Sequence, residues 1–328
     1  MYIREKMKEV PMADEIFSGF ENVTIENIAS LTAEHSRISE RRLCEIADLA
    51  SSAAEYYKKM HSDGVEIYEF LSLISEFYPE VAFSADNALD INYDRLKASF
   101  LQLDSLGRAS FAEILLEFLN KEGLLVSESD FLPSVEADET FVYVKNPYAD
   151  EAYDVFSQDF SDPRVRYAEN FRQAVKLVSD KAVTYALLPL EERGARLASV
   201  AELIYRSELK INSVIPVFGI DGNADMKYAL ISRHFSVPRI TRDDDRYLEI
   251  RMPQNSSPGL SELLSVAESY GIRAYRVNTL TFDSADGKES CFSIVFSGEG
   301  VDFTVLLIFL TLFAAEYTAV GIYKNLEG

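Results

Sequence analysis

Glu191 and Glu192 stand side by side at the end of an apolar run. Two neighbouring carboxyls can divide general acid and general base work when their surroundings push their proton affinities apart. The same pair at the start of a helix over 194–207 is stabilised by the helix dipole without any chemistry, which is the reading the local pattern favours. The three histidines, His35, His61 and His234, sit in unrelated segments with no nucleophile or ligand set around them, so they read as surface or capping residues. Asp243, Asp244 and Asp245 offer cation ligands, but as a solvated acidic connection they need no metal. Cys44 and Cys291 lie far apart with no metal spacing, so neither a disulfide framework nor a zinc site is expected. Tyr56, Tyr57, Lys58 and Lys59 form a local basic-aromatic run that reads as the end of a solvated amphipathic helix. No triad, metal or cofactor is expected from these residues.

Composition narrows the partners. Lys+Arg 32 against Asp+Glu 54 gives a net charge of −22 over 328 residues. A field of that sign repels nucleic-acid backbones and anionic membrane surfaces. With 48% hydrophobic and 26% charged residues the chain is globular in type, and its length suggests two or three units. The N-terminal stretch MYIREKMKEVPMADE is charged from its fourth residue, which predicts a cytoplasmic start without a leader. The most apolar run, FTVLLIFLTLFAA (303–315), is too short for a bilayer, which needs about 20 residues. It predicts a buried helix.

The elements that position these residues follow from periodicity. Residues 1–125 read as helical: Leu43, Ile46, Ala47, Ala50, Ala54 and Tyr57 make one face, and Ile67, Phe70, Leu71 and Ile74 another. A helix is expected over Ser110–Leu119, with Ser110 and Glu113 as a capping box and Gly123 as its left-handed C-terminal cap. Residues 126–140 read as a linker carrying Pro133. From Phe141 short apolar strands alternate with helices at about 149–160, 170–179 and 194–207, an α/β pattern. A second break at 236–246 carries Pro238. Beyond it, Leu248, Ile250 and Met252 alternate with Tyr247, Glu249 and Arg251 as a half-buried strand. A helix ended by Gly271, strands over 272–282 and 291–297 joined at Asp286-Gly287, the apolar helix and a strand over 317–323 complete a ferredoxin-like βαββαβ order.

The segment 247–323, with Pro258-Gly259 opening its first helix and YGI (270–272) closing it, resembles an ACT domain. Upstream, FRQAVKLVSDKAVTYALLPLEERGARLASVAELIYRSELKINSVIPV (171–217) is similar to the first lobe of the prephenate dehydratase family. That family carries Pro-Ile-Glu-Asn-Ser where this chain has Pro189, Leu190, Glu191, Glu192 and Arg193, followed by Gly194. Its catalytic Thr-Arg-Phe run aligns with Met226, Lys227 and Tyr228. The two resemblances cover about 141–323 in the family's order. They imply decarboxylative dehydration of prephenate to phenylpyruvate, with phenylalanine acting back on the ACT module.

The departures shape the expectation. A methionine has no hydroxyl to donate a proton, and Lys227 lacks the bidentate fork of an arginine. Only FGIDGNAD (218–225) stands where the family's second lobe lies, too short for a helix and a strand. The family's Gly-Ala-Leu run keeps Gly259 but continues Leu260, Ser261, and its Glu-Ser-Arg-Pro run becomes Asn278, Thr279, Leu280 and Thr281. The ligand-binding positions implied by the resemblance are Pro258, Gly259, Leu260, Ser261, Asn278 and Thr279.

The expected fold class is therefore α/β and α+β multidomain. It comprises an all-helical domain over 1–125, a linker over 126–140, a reduced dehydratase-like α/β lobe over 141–236 and an ACT-like domain over 246–328. The expected function is amino-acid sensing or regulation connected to phenylalanine biosynthesis, without turnover, by a homodimer as ACT modules commonly form. The partner is a small molecule, an amino acid. The alternative is an active prephenate dehydratase, or one fused to an N-terminal chorismate mutase, a carbon-oxygen lyase activity in the first case. For a mutase only Arg41 or Arg42 with Lys58 or Lys59 offers suitable cations, since Val65 to Asp94 contains no Lys or Arg.

Overall fold

The computed structural model describes residues 40–75, 102–132, 139–218, 224–235, 245–284, 287–314 and 317–324. His35, Pro133, Pro238, Asp243, Asp244, Asp286 and the connection 219–223 lie outside the described residues.

In chain order the helices are α1 (Glu40–Ser62), α2 (Ile67–Ile74), α3 (Ser105–Lys121), α4 (Pro147–Phe156), α5 (Phe171–Ser179), α6 (Ala198–Arg206), α7 (Leu260–Ser269) and α8 (Thr304–Phe313). The strands are β1 (Thr140–Tyr143), β2 (Arg164–Tyr167), β3 (Tyr185–Glu192), β4 (Ala195–Arg196), β5 (Lys210–Phe218), β6 (Ala224–Ser232), β7 (Asp245–Pro253), β8 (Arg273–Ser284), β9 (Gly287–Glu299) and β10 (Thr318–Lys324). The chain divides into two compact units. One comprises Met1–Phe131, Asn255–Gly271 and Phe303–Ala315; the other comprises Leu132–Gln254, Ile272–Asp302 and Glu316–Gly328.

The first unit is helical. The apolar stripe of α1 (Leu43, Ile46, Ala47, Ala50, Ala54, Tyr57) and that of α2 (Ile67, Phe70, Leu71, Ile74) are buried, as their three- and four-residue spacing requires. The third helix begins earlier than its capping pattern suggested. Asp104 caps it by accepting from the Gly107 N–H at 2.9 Å, and Ser110 lies buried inside it. Asp104 outcompetes Ser110 as the N-cap because the turn before Ser110 is itself helical. Gly123 does adopt φ 77°, the left-handed conformation expected just beyond the helix. The apolar helix α8, buried at every position but Val305, packs against α2 and α3. Its lead-in Phe303 N–H donates to the buried Glu128 carboxylate at 2.8 Å, and Arg108 lies over the Phe313 ring at 4.8 Å. α7 packs on α3, with Tyr270 O–H donating to the Ala109 carbonyl at 2.8 Å and Ser105 bonded to Glu262. The helices of residues 40–121 thus share a core with two helices from the C-terminal segment.

The second unit is built on one ten-stranded sheet in the order β2-β1-β3-β6-β5-β10-β7-β9-β8, with β4 paired to β3. β1 is parallel to β2 and β3, the pairing that the intervening α4 and α5 permit. β5 and β6 form an antiparallel pair running from Lys210↔Ser232 to Phe218↔Ala224, so the interval 218–225 connects two neighbouring strands. Side-chain alternation sorts the first half into two cores. Val142, Leu188, Ala229 and Ile231 face α5 and α6, whereas Phe141, Leu187, Tyr228 and Leu230 face α4.

The last four strands stand in the order β10-β7-β9-β8 and are all antiparallel to their neighbours. β10 also pairs in parallel with β5 through Gly321↔Ile211, which joins the two halves. β7 departs from the half-buried expectation. Tyr247, Glu249 and Arg251 are buried along with Leu248, Ile250 and Met252, because the polar face of the strand meets Arg196 and tyrosine rings instead of water.

Candidate functional site

The two runs that could carry chemistry lie on adjacent antiparallel strands, with Glu191 opposite Lys227, Glu192 opposite Met226 and Pro189 opposite Tyr228. The register shifts between Pro189 and Glu191, so β3 has one extra residue there. In a regular strand Leu190 and Glu191 would point to opposite faces. The bulge lets both line the same recess. A matching shift between Ala274 and Arg276 in β8 sends Tyr275 and Arg276 to that recess as well. Glu191 pairs there with Arg276. The ion pair spans strands far apart in the sheet order, so the sheet of this unit curls enough to bring β3 and β8 together.

Glu191 and Glu192 do not begin a helix. They end β3 and pair with β4, Glu191 with Arg196 and Glu192 with Ala195, across the turn Arg193-Gly194. Both turn residues have positive φ, 48° and 77°, as a tight hairpin of this kind needs. Helix α6 starts only at Ala198, so its dipole does not account for the carboxyl pair. A two-residue loop ending in glycine was the available signal.

A buried charge network extends from this hairpin. Arg196 Nη2 donates to both oxygens of Glu249 at 2.7 Å, and its Nη1 lies 3.8 Å from Glu191. Glu249, fully buried, also accepts from Ser293 Oγ and from Tyr323 O–H, each at 3.2 Å. Burial opposes the charge on Arg196, but Glu249, Tyr323 and Glu191 more than offset it and raise its pKa. Burial, then the Glu249 carboxylate, pushes the Tyr323 phenol well above its ordinary value. Arg251 is shifted down by burial, partly countered by Glu249, and donates to the Ala201 carbonyl at 3.2 Å with its guanidinium over Tyr205. Arg196, Glu249, Arg276, Ser293 and Tyr323 carried no sequence signal beyond being polar residues in strands.

The other positions separate. Glu192 is exposed and Met226 packs with the α4-side core. Tyr228 is buried on that side too, donating to Asn146 Oδ1 at 3.3 Å, and burial raises its pKa. Pro258, Gly259, Leu260 and Ser261 open α7 in the helical unit, whereas Asn278 and Thr279 lie on β8 in the sheet unit. The recess itself encloses ≈ 20 Å³ and is open on one side, room for a water or two. Among the described residues there is no group of three or more His, Cys, Asp or Glu able to hold a metal ion, and no helix long and apolar enough to cross a membrane.

No family model and no curated protein matches the chain. Among solved structures it is similar to a prephenate dehydratase from Streptococcus mutans, at 16% identity and a TM-score of 0.46, over 57% of this chain and 99% of that one. It is also similar to a prephenate dehydratase from Arthrobacter aurescens in complex with L-Phe, at 16% identity and 0.44, over 56% and 89%. A third is GqqA, described as a novel type of quorum quenching acylase, at 18% identity and 0.42, over 57% and 96%.

Proposed function

We propose that this chain is a divergent prephenate-dehydratase-like protein without turnover, acting as an amino-acid sensor or regulator connected to phenylalanine supply. One observation carries the reading. The runs that resemble the family's catalytic ones are neighbours on β3 and β6, but of their residues only Leu190, Glu191 and Lys227 line the recess, whose ≈ 20 Å³ is far below the roughly 300 Å³ of a small-molecule pocket. Met226 has no proton to give. The phenols of Tyr228 and Tyr323 are shifted up and engaged, which makes them weaker acids.

The direct β5–β6 connection supports the absence of a second lobe, and the β10-β7-β9-β8 order with its two intervening helices supports a ferredoxin-like, ACT-type segment. In this reading an amino-acid carboxylate is received at the start of α7 near Gly259, in a cytoplasmic homodimer. Three of the four cations suited to a mutase are already engaged: Arg41 with Glu45, Arg42 with Asp104 and Lys58 with Glu122.

Prephenate supplied to the purified full chain at neutral pH tests the proposal. Phenylpyruvate is expected to form no faster than in buffer alone. Turnover at 1 s⁻¹ or so, the low end of ordinary enzymatic rates, that is lost in Lys227→Ala would replace this reading with the dehydratase one.

A further inference from the structure

β2 stands at one end of the strand order and, among the described residues, pairs with β1 alone. Arg164 N–H donates to the Glu139 carbonyl at 2.8 Å and Ala168 N–H to the Tyr143 carbonyl at 2.9 Å, so the even-numbered residues of this stretch turn their backbone groups toward β1. Successive strand residues bond to opposite sides. The N–H and C=O of Val165 and Tyr167 are therefore directed away from the sheet, spaced as a further strand would need them. The side chains set what kind of strand fits. Arg164 and Arg166 are exposed on one face, while Tyr167, 53% exposed, and the half-buried Val165 lie on the other. Lys145 Nζ stands over the Tyr167 ring at 4.9 Å. This edge carries three cations on a chain whose net charge is −22. Asp162, just before the strand, lies 3.9 Å from Arg164, but both side chains are largely exposed and such a pair is weak. The acidic field of the whole chain is screened beyond about 8 Å at physiological salt. At contact distance the edge's own cations decide.

We propose that β2 is a docking edge for an acidic extended peptide of a partner protein, added antiparallel with apolar and acidic residues in alternation. Main-chain hydrogen bonds to Val165 and Tyr167 hold the peptide, as in other strand additions. Its carboxylates lie opposite Arg166 and Arg164. Its apolar side chains lie opposite Tyr167 and Val165, where aromatic and β-branched pairs across strands add to the hold. The antiparallel sense is the slightly stronger pairing. A strand kept apart only to prevent aggregation would need charge of either sign, whereas two arginines on one face and an apolar strip on the other select by sign and by pattern. This partner is independent of the amino-acid ligand of the sensor reading.

Calorimetric titration of the full chain with acetyl-Ser-Val-Glu-Val-Glu-Ser-amide tests it. Two further peptides serve as comparisons, one with lysines in place of both glutamates and one methylated on the backbone nitrogen of the second valine, the donor aimed at the Val165 carbonyl. The glutamate peptide is expected to bind at least tenfold tighter than either. Arg164→Glu with Arg166→Glu is expected to reverse the order, preferring the lysine peptide, with the thermal transition within a few degrees of the unaltered chain. Should that variant fail to fold, the three peptides on the unaltered chain still decide. Equal affinity for the glutamate and lysine peptides, or no heat with the glutamate peptide, would overturn the proposal. Undiminished binding of the methylated peptide would reduce it to charge attraction without strand addition and so overturn it too. Self-association of the chain that Arg164→Glu with Arg166→Glu abolishes would give the edge to a second copy instead.

Discussion

Glu249 is a carboxylate with no exposure to water, and such a group persists only when its partners replace hydration completely. Here each oxygen has two donors, Arg196 and Ser293 on one, Arg196 and Tyr323 on the other. Glu249→Ala strands the Arg196 guanidinium and is expected to cost about 3–5 kcal/mol, read from urea unfolding. Arg196→Met with Glu249→Met removes both charges, and its cost should fall well below the sum of the two single changes. A single-mutant cost under about 1 kcal/mol, the range of exposed pairs, would show that the network is not what holds β7 in place. The exposed Arg41–Glu45 pair, at 3.2 Å, belongs to that weaker class. Glu191 and Lys227 were legible as chemistry-bearing residues in the sequence. Arg196, Glu249 and Arg276 were not, because a buried charge is recognised by its partners and the Arg196–Glu249 and Arg276–Glu191 pairs join residues 53 and 85 positions apart.

At the scale of elements the ten strands form one sheet only because β10 reaches β5, and the register there passes through Gly321. A Cβ on Gly321 would sit 2.4 Å from the Ile211 carbonyl oxygen and 2.8 Å from Ile211 Cβ, so the strands approach as closely as glycine allows. Lys210 Nζ donates to the Ala319 carbonyl at 2.9 Å beside this point, its pKa lowered by burial. Gly321→Val is expected to destabilise by about 1–3 kcal/mol, as overpacking does, with amide exchange rising first in β10. Unchanged exchange in β10 would mean that the joint yields without cost. Most of these elements could be read from periodicity, including the apolar stripes of α1 and α2. The bulges at Leu190 and Tyr275 could not, since an extra residue in a strand is defined only by the strand beside it.

Over the whole molecule, burial of phenols predicts how the fold responds to alkali. Tyr323 and Tyr270 are raised well above 10.0, and Tyr185 and Tyr228 are raised too, in every case chiefly by burial. The native state therefore keeps protons that the unfolded chain releases near pH 10, so their contribution is whole below that pH and declines above it. Burial raises the Cys291 thiol from 9.0 and starts the same trend earlier, whereas the lowered Lys210 acts in the opposite sense as one group against several. Absorbance at about 295 nm and circular dichroism should change together above about pH 10. Smooth ionisation of all 18 tyrosines with the dichroism intact would contradict this burial. By itself the sequence determined the acidic charge, the helical and α/β stretches, the buried apolar helix and the two runs that resemble catalytic ones, because these depend on composition and on neighbours a few residues apart. Only the tertiary structure decided that α7 and α8 share a core with the N-terminal helices, that the polar face of β7 is buried, and that Glu191 meets Arg276 across a recess. Those outcomes rest on strand order, register and curl, which bring together residues that no local pattern relates.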